Sequence, residues 1–153
     1  MSLGLIKIKR KFFLIFLVIF LLGAVSAQSV PDPNLFEING VTFDVPYGSQ
    51  VNDTLSYDNY TVVGTKNISV SHRVYFNELN ETTEIDVIGY EDDCYSQEVL
   101  ERIDGEATDI NGVWGKFINS TDSYSFVFVS NGNLANVTAK DYTLMTFFVY
   151  HDF

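Results

Sequence analysis

Three Asn-Gly dipeptides punctuate the sequence: Asn39-Gly40, Asn111-Gly112 and Asn131-Gly132. A tight two-residue hairpin turn needs positive φ at both central positions, which Asn tolerates and Gly adopts freely. The first dipeptide lies between alternating apolar residues, Phe36-Glu37-Ile38 and Val41-Thr42-Phe43-Asp44-Val45, and predicts a hairpin that stops at Pro46 and Gly48. The second precedes a strand over residues 113–118. The third turns a strand over 124–130 into another over 134–138. Residues 124–130 are apolar on both faces, which places that strand inside a sheet rather than at its edge.

The remaining segments extend this pattern. Residues 68–76 alternate, with Ile68, Val70, His72, Val74 and Phe76 on one face and Ser69, Ser71, Arg73 and Tyr75 on the other. Residues 77–83 read as a turn into a partner strand over 84–90. Residues 50–59 read as a polar loop and 60–63 as a short strand. One segment has helical spacing: Tyr95, Val99, Leu100 and Ile103 share a face, and Asp92 or Asp93 precedes them as a cap. Gly105 stands where a left-handed C-terminal cap is expected. Residues 142–150 favour a strand by composition. Asp141 and the spacing of Leu144, Met145, Phe148 and Val149 favour a helix, which is the preferred reading. That uncharged aromatic stretch needs a cover in either case.

The resulting fold class is α+β: an antiparallel sheet with one or two helices packed on one face, after an N-terminal signal segment. The expected buried set is Phe43, Val45, Val70, Val74, Ile85, Val87, Val99, Leu100, Ile103, Phe117, Phe126 and Phe128. A length of 153 residues allows one globular domain. It is assigned to 35–153, after a linker at 28–34 that holds Pro31 and Pro33. No repeat of 20–50 residues suggests a solenoid.

The N-terminus carries an address. Lys7, Lys9, Arg10 and Lys11 precede an apolar run over residues 12–25, and Val25-Ser26-Ala27 supplies small residues. A basic start, a short apolar run and a small-residue site make a secretory signal over 1–27. An uncleaved anchor shares the same basic flank and stays open as the alternative. Either outcome exports the remainder, to the extracellular space or the cell surface.

The full chain has a formal charge of −11; four basic residues and no acidic one precede Gln28, so the exported part carries −15. Such a surface repels nucleic acid and anionic lipid. Membrane contact is therefore expected only through the N-terminal segment, if it is uncleaved.

Six N-x-S/T sequons lie in the exported part, at Asn52, Asn59, Asn67, Asn80, Asn119 and Asn136. With 12 Asn and 21 Ser or Thr among those 126 residues, random placement gives about two. The excess, joined to export, points to N-glycosylation.

Catalytic motifs are lacking. The single cysteine, Cys94, excludes an internal disulfide framework and Cys-based zinc sites. No sequence feature directs His72 or His151 to it as a base, so a buried or idle thiol is favoured over an intermolecular disulfide or thiol catalysis. His72 lies on an apolar strand face and reads as a satisfied, half-buried histidine. Glu91-Asp92-Asp93, with Asp86 or Glu98, offers oxygens for calcium, but helix capping and a solvated turn explain those residues as well. Trp114, Tyr57, Tyr60 and Tyr75 are candidates for a sugar-binding face or, more simply, for the core and its rim. No phosphate loop, nucleophile elbow or H-E-x-x-H is present. No catalytic residue, metal ligand or cofactor is therefore assigned.

Three segments resemble a known group: residues 36–46, Glu84-Ile85-Asp86-Val87, and Ile110-Asn111-Gly112-Val113-Trp114-Gly115. They are similar to small secreted domains of methanogenic archaea, which look like the PsbP/Mog1 group. Members of that group often carry a Trp soon after the proline; here Tyr47-Gly48-Ser49 follows Pro46. The resemblance implies an antiparallel sheet with packed helices and a binding or assembly role. It carries over no catalytic residue. The expected function is a non-enzymatic extracellular or cell-surface module that contacts envelope components. The alternatives are an envelope hydrolase using paired carboxylates and a calcium-stabilised module.

Overall fold

In the computed structural model all three Asn-Gly turns form, with φ of +47°, +53° and +49° at Asn39, Asn111 and Asn131. They join β1 (Leu35–Ile38) to β2 (Val41–Asp44), β7 (Glu106–Ile110) to β8 (Val113–Asn119), and β9 (Tyr124–Ser130) to β10 (Asn133–Ala139). The remaining elements are β3 (Gln50–Val51), β4 (Tyr57–Val63), β5 (Lys66–Phe76), β6 (Thr82–Tyr90), α1 (Asp93–Arg102) and α2 (Tyr142–Phe147). The structure describes residues 34–150, which fall in one compact unit. The signal segment, nearly all of the linker and His151 lie outside the described residues.

Eight strands form one sheet in the order β3-β5-β6-β10-β9-β8-β7, and β4 joins β3 along the outer side of β5. Every pairing is antiparallel. The β1–β2 hairpin is a separate two-stranded layer. Side chains of the turns tie the layers together. Asn131 Nδ2 donates to the Gly40 carbonyl at 2.8 Å, Asn133 Nδ2 to the Asn39 carbonyl at 3.0 Å, and Asn39 Nδ2 to Ser69 Oγ at 3.0 Å. Asn111 Nδ2 donates to the carbonyls of Thr146 and Val149, satisfying acceptors at the C-terminal end of α2.

The sheet buries both faces, each differently. On one face Ile85, Val87, Phe126, Phe128, Ala135 and Val137 are covered by Ile38, Val41 and Phe43 of the hairpin and by Met145, Phe148 and Val149 of the α2 segment. On the other, Val127 and Leu134 pack with Leu100 of α1, with Val99 and Ile103 half-buried beside them. The α+β class and the inward face of α1 therefore match the sequence. The two helices occupy opposite faces, because the hairpin and α2 together fill the larger core and α1 closes the reverse side. The C-terminal aromatic stretch is itself the cover, capped by Asp141, whose Oδ1 accepts from Leu144 N at 2.9 Å.

Several local expectations are corrected. Residues 50–59 contain β3 and the start of β4, because the long β5 offers an outer edge to both. α1 ends at Ile103 in extended backbone rather than in a left-handed Gly105. Gly105 is needed for a different reason: a Cβ there would stand 2.9 Å from the Phe117 carbonyl oxygen. Val45 and Phe117 are partly buried at the rim of the core. Val70 is only half-buried, although Val74 on the same face of β5 is buried.

Gly115, in β8, is the tightest glycine. A Cβ there would collide with the Val127 carbonyl oxygen and stand 2.7 Å from the Phe126 ring. Overpacking a filled core costs about 1–3 kcal/mol. Gly115→Ala is expected to lower the urea midpoint by that equivalent; a loss under about 0.5 kcal/mol would show that β8 shifts freely.

Candidate recognition face

Ten helical residues span about 15 Å, and α1 packs on β6, β10 and β9. Beyond the contact of Lys66 with the Tyr95 ring, the same face of β5, and the ends of β6, β10 and β9 remote from the Asn-Gly turns, extend past this cover. Strand register places polar residues there in a line. Tyr57 lies opposite His72, His72 opposite Asp86, Asp86 opposite Asn136, and Thr138 opposite Ser125. Side chains directly opposite on neighbouring antiparallel strands touch, so the line becomes a connected row.

The row begins with the Tyr57 ring stacked on the His72 imidazole, centroids 5.0 Å apart. His72 Nδ1 donates to Asp86 Oδ1 at 2.7 Å. Asp86 Oδ2 accepts from Asn136 Nδ2 at 3.4 Å, and Asn136 Oδ1 accepts from Thr138 Oγ1 at 3.4 Å. Thr138 Oγ1 lies 2.8 Å from Ser125 Oγ. Tyr57 is exposed, and the five residues from His72 to Ser125 are half-buried. The result is a row of oriented donors and acceptors across five strands, open to solvent and held by rigid backbone.

Of the six sequon asparagines, Asn59, Asn67, Asn80 and Asn119 are exposed, whereas Asn52 and Asn136 are half-buried. Asn52 Oδ1 accepts from the backbone N–H groups of Thr54 and Leu55. Asn136 and Thr138 of the last sequon are both members of the polar row.

The other singled-out residues are dispersed. Cys94 is an exposed free thiol at the start of α1. Asp92 caps α1, its Oδ1 accepting from Cys94 N at 3.1 Å, and Glu91 Oε2 accepts from Asn67 N across to β5. Among the described residues no three His, Cys, Asp or Glu side chains converge as metal ligands. The four candidate aromatics do not share a surface. Trp114 stands exposed near α1, and Tyr57 and Tyr60 point to opposite faces of β4. Tyr75 is buried against Phe148, and burial raises its phenol above the ordinary value.

A groove of about 640 Å³ beside β4 holds one carboxylate, Glu91, with Tyr60 and Tyr90. A smaller one of about 280 Å³ brings Glu84 and Asp122 together but has no aromatic wall. Neither joins paired carboxylates to an aromatic platform. No helix among the described residues is long and apolar enough to cross a membrane.

Fold and face together define an antiparallel α+β domain with one sheet face partly open. No family model, curated protein or solved structure matches this chain.

The row itself was not assembled from sequence. Its sequence signal was weak: His72 interrupts the apolar face of Val70 and Val74, whereas Asp86 and Asn136 occupy ordinary alternating positions on the face away from Ile85, Val87, Ala135 and Val137. Only the register shows that these residues meet.

Proposed function

We propose that this chain is a non-enzymatic module of the cell exterior that binds envelope components through the open half of its sheet. The observation that carries this reading is the polar row from Tyr57 to Ser125. Its groups are held by one another and by paired strands, so little side-chain freedom is lost on binding. Glu84, opposite Thr138 in the register, adds an exposed carboxylate beside it. An aromatic ring with adjacent carboxylate, amide and hydroxyl groups suits a hydroxyl-rich or cationic surface, and the charge of −15 disfavours nucleic acid. The signal-like start and the sequon excess support export and glycosylation, with glycan on the four exposed sites. The PsbP/Mog1 likeness supports a binding role over a catalytic one.

The test is cosedimentation of the secreted protein with envelopes isolated from its own cells. Asp86→Ala removes the acceptor shared by His72 and Asn136 and is expected to weaken binding about tenfold, or ~1.4 kcal/mol. Glu98→Ala, on the exposed side of α1, is expected to leave binding unchanged. Equal binding by Asp86→Ala and the parent would move the contact off this face. Background binding together with turnover of a wall saccharide or peptide would replace the binding module by a hydrolase.

A further inference from the structure

The two edges of the sheet are protected differently. β7 is five residues long and carries Glu106 and Asp109, both exposed. Charges on a short edge strand discourage pairing with another chain. β4 is seven residues long, exposed throughout, and has neither proline nor lysine. Tyr57, Tyr60, Val62 and Val63 are exposed by 53–82%. Its one charged side chain, Asp58, is engaged by Arg73, whose guanidinium bonds Asp58 Oδ2 at 2.8 Å and the Tyr57 carbonyl at 3.0 Å. That contact holds the Asp58 carboxyl below its ordinary pKa. β4 is thus an uncovered, β-branched and aromatic edge of the kind that templates a second chain.

Two sequon asparagines flank this edge, one in β4 and one next to it in β5. Asn59 is within β4, opposite Val70, on the face of the polar row; Asn67 is opposite Val62, on the other face. Both are exposed. Three residues separate Asn59 from Val62, about 10 Å along a strand. Asn67 also lines the groove of about 640 Å³ with Tyr60 and Val62. A sugar on Asn67 Nδ2 therefore starts in that groove against exposed apolar surface, while one on Asn59 stands over the reverse side.

We propose that N-linked glycans on Asn59 and Asn67 cap the open β4 edge from its two faces and keep the protein from pairing edge to edge with a second copy. The proposal rests on the glycosylated, exported reading above and gives two of the six sequons a specific task. The step is a glycosyl transfer from a lipid-phosphate-linked sugar. The Asn Nδ2 forms a bond to the anomeric carbon, the bond from that carbon to the phosphate oxygen breaks, and the lipid phosphate leaves. The amide proton passes to the transferase's base.

The experiment compares the protein secreted by its own cells with the Asn59→Gln/Asn67→Gln variant from the same cells. Sedimentation velocity reads association, hydrogen exchange reads β4, and intact mass reads glycan. The expected result is a glycosylated monomer for the parent. The variant is expected to dimerise with concentration and to show at least tenfold slower exchange of β4 amides. Adding Val62→Lys to the variant is expected to restore the monomer. Asn80→Gln/Asn119→Gln, which alters sites away from this edge, is expected to remain monomeric. Glycan present on Asn59 and Asn67, with the variant still monomeric and β4 unprotected, would overturn the capping role alone. Unmodified Asn59 and Asn67 in the native monomer would overturn the proposal at its glycosylation step.

Discussion

Phe126→Ala is expected to cost about 3–5 kcal/mol, a large part of the 5–15 kcal/mol that holds a domain together. The Phe126 side chain is fully buried and stacks on Phe128 at 5.5 Å between centroids. Phe128 in turn meets Phe43 of the hairpin edge-on at 6.3 Å. Truncation opens a cavity where the sheet receives its cover, and rigid strands beneath it cannot collapse to fill the space. Urea unfolding of the parent and variant measures the effect as a shift in midpoint at unchanged slope. A loss below about 1 kcal/mol would mean that the hairpin layer settles onto the sheet and closes the void.

Phe126 also shows what was legible in the sequence. Alternation put it inward, and continuous apolarity put its strand inside the sheet; both hold, with β9 between β10 and β8. The Asn-Gly turns were readable for a local reason: two consecutive residues at positive φ admit few other residue types. The capping Asp residues were readable for the same kind of reason, since Asp92 and Asp141 each bond a backbone N–H within three positions. Local chemistry leaves local signatures.

What escaped the sequence depends on partners distant along the chain. Alternation in β5 correctly separated its two faces, and the expected burial of Val70 and Val74 on the apolar one holds for Val74 but not for Val70. Tyr75, on the polar-looking side, is buried, while Val70, on the apolar side, lies partly open. The hairpin and α2 cover one face broadly, whereas α1 meets β5 through Lys66, which stands over the Tyr95 ring at the start of that strand. The polar row has the same origin: His72 and Asp86 are 14 positions apart, and Asp86 and Asn136 are 50. Each is an unremarkable polar residue in a strand until register sets them side by side. Gly105 was marked as special for the wrong cause, because close approach of a neighbouring strand leaves no trace in local spacing.

Leu100→Ala tests the opposite face. Leu100 is 7% exposed and packs on Val127 and Leu134, so truncation is expected to cost about 2–5 kcal/mol. At the N-terminal half of α1, buried Ser96 donates to the Gly132 carbonyl and Tyr95 meets Tyr90 edge-on, but the C-terminal half rests on the apolar contacts. Its Glu98–Arg102 pair is long, at 3.7 Å, and exposed, and such pairs contribute between about zero and 1 kcal/mol. An isolated ten-residue helix is marginal in water, so docking through Leu100, Val99 and Ile103, with Ser96 and Tyr95, has to stabilise α1. Loss of Leu100 should therefore weaken α1 before the sheet beneath it. Amide exchange within α1 should accelerate more than exchange in β9 or β10, whose opposite face keeps its full cover. Uniform acceleration across α1 and the sheet would show one cooperative unit instead, and a cost under about 0.5 kcal/mol would mean that α1 is held by contacts other than this face.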